Sequence, residues 1–292
     1  MPYSVGTPQA TDATGSASNI ATPAGITTSA GDTIVVFGTV GGADLTASLS
    51  CSDGTNAYAL KFATYEASTT TNFCILVAEN VASGTFTQTL AWGGSTRANR
   101  GIYAVAVSGV KAAAYQTGAI ANQAAPGTGA DGVTTGNMTP TEQPACVIGA
   151  AVCSGAIATP AAGTGFTSIG TAWQFGTGTD LFRAEHQRIT STSALALTAT
   201  AGTNVRHFSV AVILSETGAG AATLEQTHYR FRNDDGSETT ATWAAAEDTP
   251  ISLATNTPVR MRVEIAATGD PASKAYKLQY RKVGDSTWRD IN

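Results

Sequence analysis

Charge is scarce in this chain. Its 292 residues include 16 Lys+Arg and 21 Asp+Glu, 13% in all, about half the usual share for a globular domain. The net charge is −5, hydrophobic residues make up 42%, and mean hydropathy is +0.02. The low hydrophobicity and high net charge that keep a chain disordered are therefore both missing. No apolar run exceeds about seven residues, too short for a membrane-spanning helix. The opening residues MPYSVGTPQA lack the basic start and apolar core of a secretory leader. A pI of about 5.2 and the lack of a basic run argue against nucleic acid as a partner.

Helical signals are also missing, since no segment sustains a 3.6-residue apolar period with caps. What is present reads as strand. Thr33–Phe37, Asn72–Val77, Thr85–Trp92, Ile102–Val107, Cys146–Val152 and His207–Leu214 are short and rich in β-branched and aromatic residues, mostly between Gly, Asn, Asp or Ser clusters. Phe86, Gln88 and Leu90 alternate with Thr85, Thr87 and Thr89, as a strand with one buried face requires. A weak duplication links Gly31–Gly38, Asp53–Tyr58, Asn72–Ile75, Leu90 and Ile102–Val107 to a second series about 105–113 residues later. That second series is Pro144–Gly149, Gly165–Ser168, Asp180–Arg183, Ala194–Thr198 and Phe208–Leu214. Four strands per series, taken twice, match the count of one eight-stranded jelly roll.

The little charge there is lies unevenly. Residues 222–292 hold 19 charged residues in 71, whereas residues 1–221 hold 18 in 221. The change falls at the small-residue stretch Thr217–Thr223, which reads as a linker. Four parts follow: a flexible N-terminal arm at 1–19, a jelly-roll-like β-sandwich at 20–216, a linker at 217–223 and a small module at 224–292. Beyond the linker, Val259, Met261, Val263 and Ile265 alternate with Arg260, Arg262 and Glu264. Tyr276, Leu278 and Tyr280 alternate with Lys277, Gln279 and Arg281. Both patterns are those of half-buried strands, with Trp243 and Trp288 expected as core aromatics between two sheets.

Two resemblances attach to these residues. The order Gly31–Phe37, Ser52-Asp-Gly-Thr-Asn-Ala-Tyr58, Ala78–Gly84 and Tyr103–Val110 resembles a β-sandwich module of tailed-bacteriophage virion proteins and bacterial surface proteins. Residues Gln226–Glu238, Thr242-Trp243 and Tyr276–Trp288 resemble the small immunoglobulin-like or fibronectin-III-like module at the ends of phage structural proteins. The expected fold is all-β, a jelly-roll-like sandwich followed by an immunoglobulin/fibronectin-III-like one.

Motifs for chemistry are few, and no catalytic, cofactor-binding or metal-ligating residue is assigned. His186, His207 and His228 show no metal or triad spacing, and Glu185 and His186, adjacent in a strand, point to opposite faces. The cysteines Cys51, Cys74, Cys146 and Cys153 form no Cys-x-x-Cys. Cys74, Cys146 and Cys153 lie in apolar strands, where a thiol packs as a small hydrophobe. Gly163-Thr-Gly165 and Gly176-Thr-Gly178 do not lead from a strand into a helix, so they read as turns and not phosphate cradles. Asn233-Asp-Asp-Gly-Ser-Glu238 gathers oxygens without calcium-loop spacing, and a hairpin turn accounts for it. Arg230, Arg232, Arg260 and Arg262 are offset by acids.

The resemblance implies a non-enzymatic phage structural protein, in the virion and assembled in the host cytoplasm. It would decorate or cement the capsid, or form a short head fibre, with the small module facing solvent. Its expected partners are the major capsid protein or another virion protein and further copies of itself, a trimer being favoured, with a host-surface glycan as an additional candidate. No cofactor, nucleic acid or membrane is expected. A tail-fibre, baseplate or host-adhesion component is the first alternative, and a carbohydrate-binding or hydrolytic β-sandwich the second. The absence of heptads or a shaft repeat favours the globular role over a long fibre.

Overall fold

The unbroken apolar runs owe their pattern to strands covered on both faces. A computed structural model of the chain describes residues 3–67, 69–123, 130–154, 160–175, 180–203, 206–217, 223–237, 239–268, 279–281, 284 and 286–290. It separates two units, Pro2–Gly218 and Ala219–Asn292. Every secondary-structure element among the described residues is a strand.

The first series builds β1 (Ser4–Val5), β2 (Gln9–Ala13), β3 (Asn19–Ala21), β4 (Ile26–Thr28), β5 (Thr33–Gly41), β6 (Leu49–Ser52), β7 (Ala59–Glu66), β8 (Thr71–Ala78), β9 (Gly84–Phe86), β10 (Thr89–Trp92) and β11 (Arg100–Ser108). One sheet runs β1-β11-β5-β8-β7, with β2 also on β11, and a second runs β3-β10-β6. The pair β4-β9 stands beside them. The second series builds β12 (Val110–Gln123), β13 (Ala130–Thr134), β14 (Ala145–Ser154), β15 (Ala161–Ala162), β16 (Thr167–Phe175), β17 (Asp180–Ile189), β18 (Thr198–Thr203) and β19 (Arg206–Glu216). Its sheets run β12-β19-β14-β17-β16 and β13-β18-β15.

Strand for strand, the two orders are the same. The bridge between Met138 and Leu195 even occupies the place of the β4-β9 pair. Each order is that of a jelly roll whose fifth strand has moved to the edge of the larger sheet. The two series therefore do not pool their strands into one eight-stranded sandwich. Each closes its own, because each also contributes short outer strands, such as Ala161–Ala162, too brief for an apolar period to register. A shared packing detail marks the repeat. A side chain at Gly38 would collide with Leu90, and one at Gly149 with Leu197, so each outer sheet presses a leucine onto bare backbone of the inner one. Gly109, in the left-handed region at φ +74, turns the chain from one sandwich into the next.

The larger sheets pack face to face, which makes four layers. Val35, Phe37, Phe73, Tyr103 and Val105 from one sheet meet Ile148, Phe182, Phe208 and Val210 from the other in a single buried core. The Phe182 ring lies 4.8 Å from Tyr103 in a tilted contact and 5.7 Å from Phe37 edge to face, while Phe73 lies 6.0 Å from Phe208. The Tyr103 hydroxyl donates to the Ile169 carbonyl at 2.6 Å, so the ring is buried without stranding its polar end. A second core, with Ile34, Leu76, Leu90 and Trp92, fills the first sandwich, and a third, with Val147, Leu197 and Ile213, fills the second.

Residues 3–19 differ from the free arm expected over 1–19. β1 and β2 lie end to end along β11, with Gly6 N donating to Ala106 O between them, and Tyr3 and Val5 pack on the central core. Pairing of this kind needs backbone groups and not apolar periodicity, so the composition of the segment concealed it.

In the second unit, β20 (Thr223–Asn233) pairs with β21 (Val259–Thr268), and β22 (Gln279–Tyr280) with β23 (Arg289–Asp290). Residues 242–248 return along the free edge of β20 through Asn233 N to Thr242 O, Ala244 N to Phe231 O and Asp248 N to Tyr229 O. Tyr276 to Leu278 and most of the 217–223 linker lie outside the described residues. Trp243 and Trp288 are not core residues here, being 41% and 56% exposed. Trp243 sits on the charged face of the ribbon, and Met261, Val263 and Ile265 on the other face are exposed as well.

Candidate functional site

Register across the β20–β21 ribbon decides what its polar face can do. Arg230 stands opposite Arg262 and Arg232 opposite Arg260, while His228 stands opposite Glu264. Like charges directly across a ladder repel. Trp243 relieves that repulsion, its ring lying 4.2 Å from the Arg230 guanidinium carbon, 4.7 Å from that of Arg232 and 6.0 Å from that of Arg262. Arg232 is buried and donates to the Ala241 carbonyl, Arg230 donates to Ala245 O at 3.0 Å, and Arg260 pairs with Asp234 at 2.6 Å.

Beside this stack lies a cleft of about 260 Å³ lined by His228, Tyr229, Trp243, Glu247, Arg262 and Glu264, among others. His228 Nδ1 is 2.6 Å from Asp248 Oδ2 and 3.7 Å from Glu247 Oε1. Asp248 adopts φ +55, uncommon without glycine but tolerated by aspartate. It is held there by Tyr229, whose N–H donates to Oδ1 at 2.9 Å and whose hydroxyl donates to the Asp248 carbonyl at 3.2 Å. The hydrogen bond to Asp248 raises the His228 pKa, with the charges of Asp248, Glu247 and Glu264 adding to it. The same bond, with that from Tyr229 N, lowers the Asp248 carboxyl.

The remaining residues singled out in the sequence are scattered and serve packing. His186 accepts or shares a 2.5 Å hydrogen bond with the Tyr3 hydroxyl in the central layer, where burial lowers its pKa. Glu185, on the opposite face of β17, is buried inside the second sandwich, as is His207 in β19. All four cysteines are free, with Cys74, Cys146 and Cys153 buried. Burial pushes the Cys51 and Cys153 thiols up to about 12, so they are not thiolate nucleophiles near neutral pH. The Ser52–Tyr58 motif is a closed turn, in which the Asp53 carboxylate accepts from Thr55 N, Asn56 N, Asn56 Nδ2 and Tyr58 Oη at 2.7–2.9 Å. Asp235 is taken up by Thr242, and Gly163 to Phe166 form a turn. Gly176 to Gly178 and Glu238 lie outside the described residues. Linear spacing missed the grouping of His228 with Glu247 and Asp248, because edge pairing brings together residues 19–20 positions apart. The adjacent acids Glu247-Asp248, following Trp243, were the only trace of it in the sequence.

No family model, curated protein or solved structure matches the chain.

Proposed function

We propose that the chain is a non-enzymatic structural component of a tailed-phage virion, which decorates or cements the capsid or forms a short head fibre. The observation that carries the proposal is the low charge density of the tandem sandwich, 18 charged residues among residues 1–221. The few charges of residues 1–221 are largely used internally, in the pairs Lys61–Glu79, Lys111–Glu142 and Arg188–Glu216 and in turns such as that of Asp53. A surface of Thr, Ser, Ala and Gly packs against neighbours without desolvating ions. Repetition on a symmetric shell makes individually weak contacts effective. The Gly31–Val110 resemblance to phage sandwich modules points the same way. Under this reading the protein meets the major capsid protein or another virion protein, forms a homo-oligomer, with a trimer favoured, and resides in the virion.

One observation favours a second reading, a tail-fibre, baseplate or host-adhesion component. Trp243 and Trp288 are exposed in the C-terminal unit, Trp243 beside a polar cleft, and exposed aromatics with neighbouring polar groups suit glycan contact. Electron microscopy of virions carrying a label on this chain separates the two. Label over the head, together with binding of the purified protein to capsids that lack it, is the expected result. Label at the tail tip overturns the decoration reading.

A further inference from the structure

We propose that His228, Glu247 and Asp248 bind one divalent transition-metal ion of the zinc class, which staples the 242–248 segment to β20. The donor set is mixed and convergent. One imidazole nitrogen and two carboxylate oxygens all lie within 4.8 Å of one another. One imidazole with carboxylates is a set that zinc accepts, with a further position left to water. A purely oxygen-seeking ion such as calcium has no use for the imidazole.

Charge around the site favours a cation. Glu264, directly across the ribbon from His228, also lines the cleft, so three carboxylates face one imidazole. The cations that share the cleft, Arg230 and Arg262, are drawn to the Trp243 ring, and Arg230 is further held by the Ala245 carbonyl. The ligand platform is prearranged. His228 is carried on β20, and Asp248 is fixed to the adjacent Tyr229 by the backbone and hydroxyl bonds described above. Nδ1 and Oδ2 lie 2.6 Å apart, within hydrogen-bonding reach, and a metal that takes the Nδ1 lone pair displaces the proton of that bond to solvent. Small modules that bury little apolar surface commonly rely on such staples. Here Met261, Val263 and Ile265 are all at least 40% exposed, so the ribbon draws little stability from a core.

The test is calorimetric titration of the full chain with zinc chloride near neutral pH, paired with melting curves. One saturable equivalent, an observed binding enthalpy that varies with the ionisation heat of the buffer as protons are released, and a zinc-dependent rise in the melting transition of the C-terminal unit are expected. Loss of a residue that only orients a ligand costs ~10–100-fold in affinity, so His228→Ala is expected to weaken binding by about a hundredfold or more. Glu247→Gln keeps the shape of the site and is expected to weaken binding by about tenfold. Both side chains are exposed, so neither change threatens folding. Absence of saturable binding overturns the proposal. So does zinc binding that survives both substitutions, or calcium binding that competes with zinc and is indifferent to His228→Ala. None of these outcomes bears on where the protein sits in a virion.

Discussion

Glu185 departs most sharply from the repeat. In the first sandwich the residue opposite Gly38 on the neighbouring strand is Cys74, an apolar filler, whereas in the second the residue opposite Gly149 is Glu185. Its side chain is fully buried, with Oε2 accepting from Gly163 N at 3.1 Å and Oε1 without a partner among the described residues. Burial pushes its pKa from 4.5 up to about 7, against the opposing pull of the Gly163 amide and Arg183. The folded state therefore holds a proton that the unfolded chain releases. Stability is greatest below pH 4.5, falls as pH rises, and levels off above about 7. At about 1.4 kcal/mol per pH unit the loss is bounded at ~3.5 kcal/mol. Relaxation that admits water to Oε1 reduces it to about 1–2 kcal/mol. Glu185→Gln removes the titration. Its amide leaves a donor where Oε1 had no partner, at a pH-independent cost of about 1 kcal/mol. The diagnostic quantity is thus the slope and not the absolute stability. Denaturant unfolding of both proteins across pH 5 to 8 reads it, since every other titrating group contributes equally and cancels. Wild type is expected to lose about 1–2 kcal/mol more than the variant over that interval. Parallel pH profiles would refute the reasoning.

Two further outcomes follow from the fold. Gly149→Ala drives a methyl group into Leu197 and the Val210 carbonyl and is expected to destabilise the first unit by about 1–3 kcal/mol, with a smaller loss for Gly38→Ala, whose methyl group meets only the side chains of Leu90 and Cys74. Melting temperatures of the two variants check the order directly, and an unchanged transition in either removes the packing argument. Deletion of residues 1–13 strips β1 and β2 from β11 and uncovers the core beneath Tyr3 and Val5. The expected loss is about 3 kcal/mol or more, the burial of roughly two large side chains. A truncated protein as stable as the full chain restores the view of this segment as a free arm.

How far the sequence could be read depended on where each signal came from. Inner strands such as Thr33–Gly41 and Arg100–Ser108 were plain, because burial on both faces makes them continuously apolar. The break in charge density near residue 217 coincided with the boundary at Gly218. Outer strands other than β10, which the Phe86, Gln88 and Leu90 alternation marked, were not legible, since two to six residues with one face in solvent carry too little pattern. Trp243 misled for a physical reason. A tryptophan is ordinarily assigned to a core, but here three guanidinium groups held in register by the ribbon offer its ring an alternative neighbour. The candidate cation site escaped for a related reason, since His228 and Asp248 meet only through the return of the chain along β20.

By itself, then, the sequence determined that the chain is all-β, that its strands recur in two series, and that charge is concentrated in the C-terminal part. These properties follow from local composition and period, which are written residue by residue. Only the tertiary structure decided that the two series close separate sandwiches and stack larger sheet to larger sheet. It also decided that the first residues complete the β11 edge and that one imidazole and two carboxylates converge. Pairing partners are chosen by hydrogen-bonding edges and complementary faces far apart in the chain, and neither has a signature in the order of neighbouring residues.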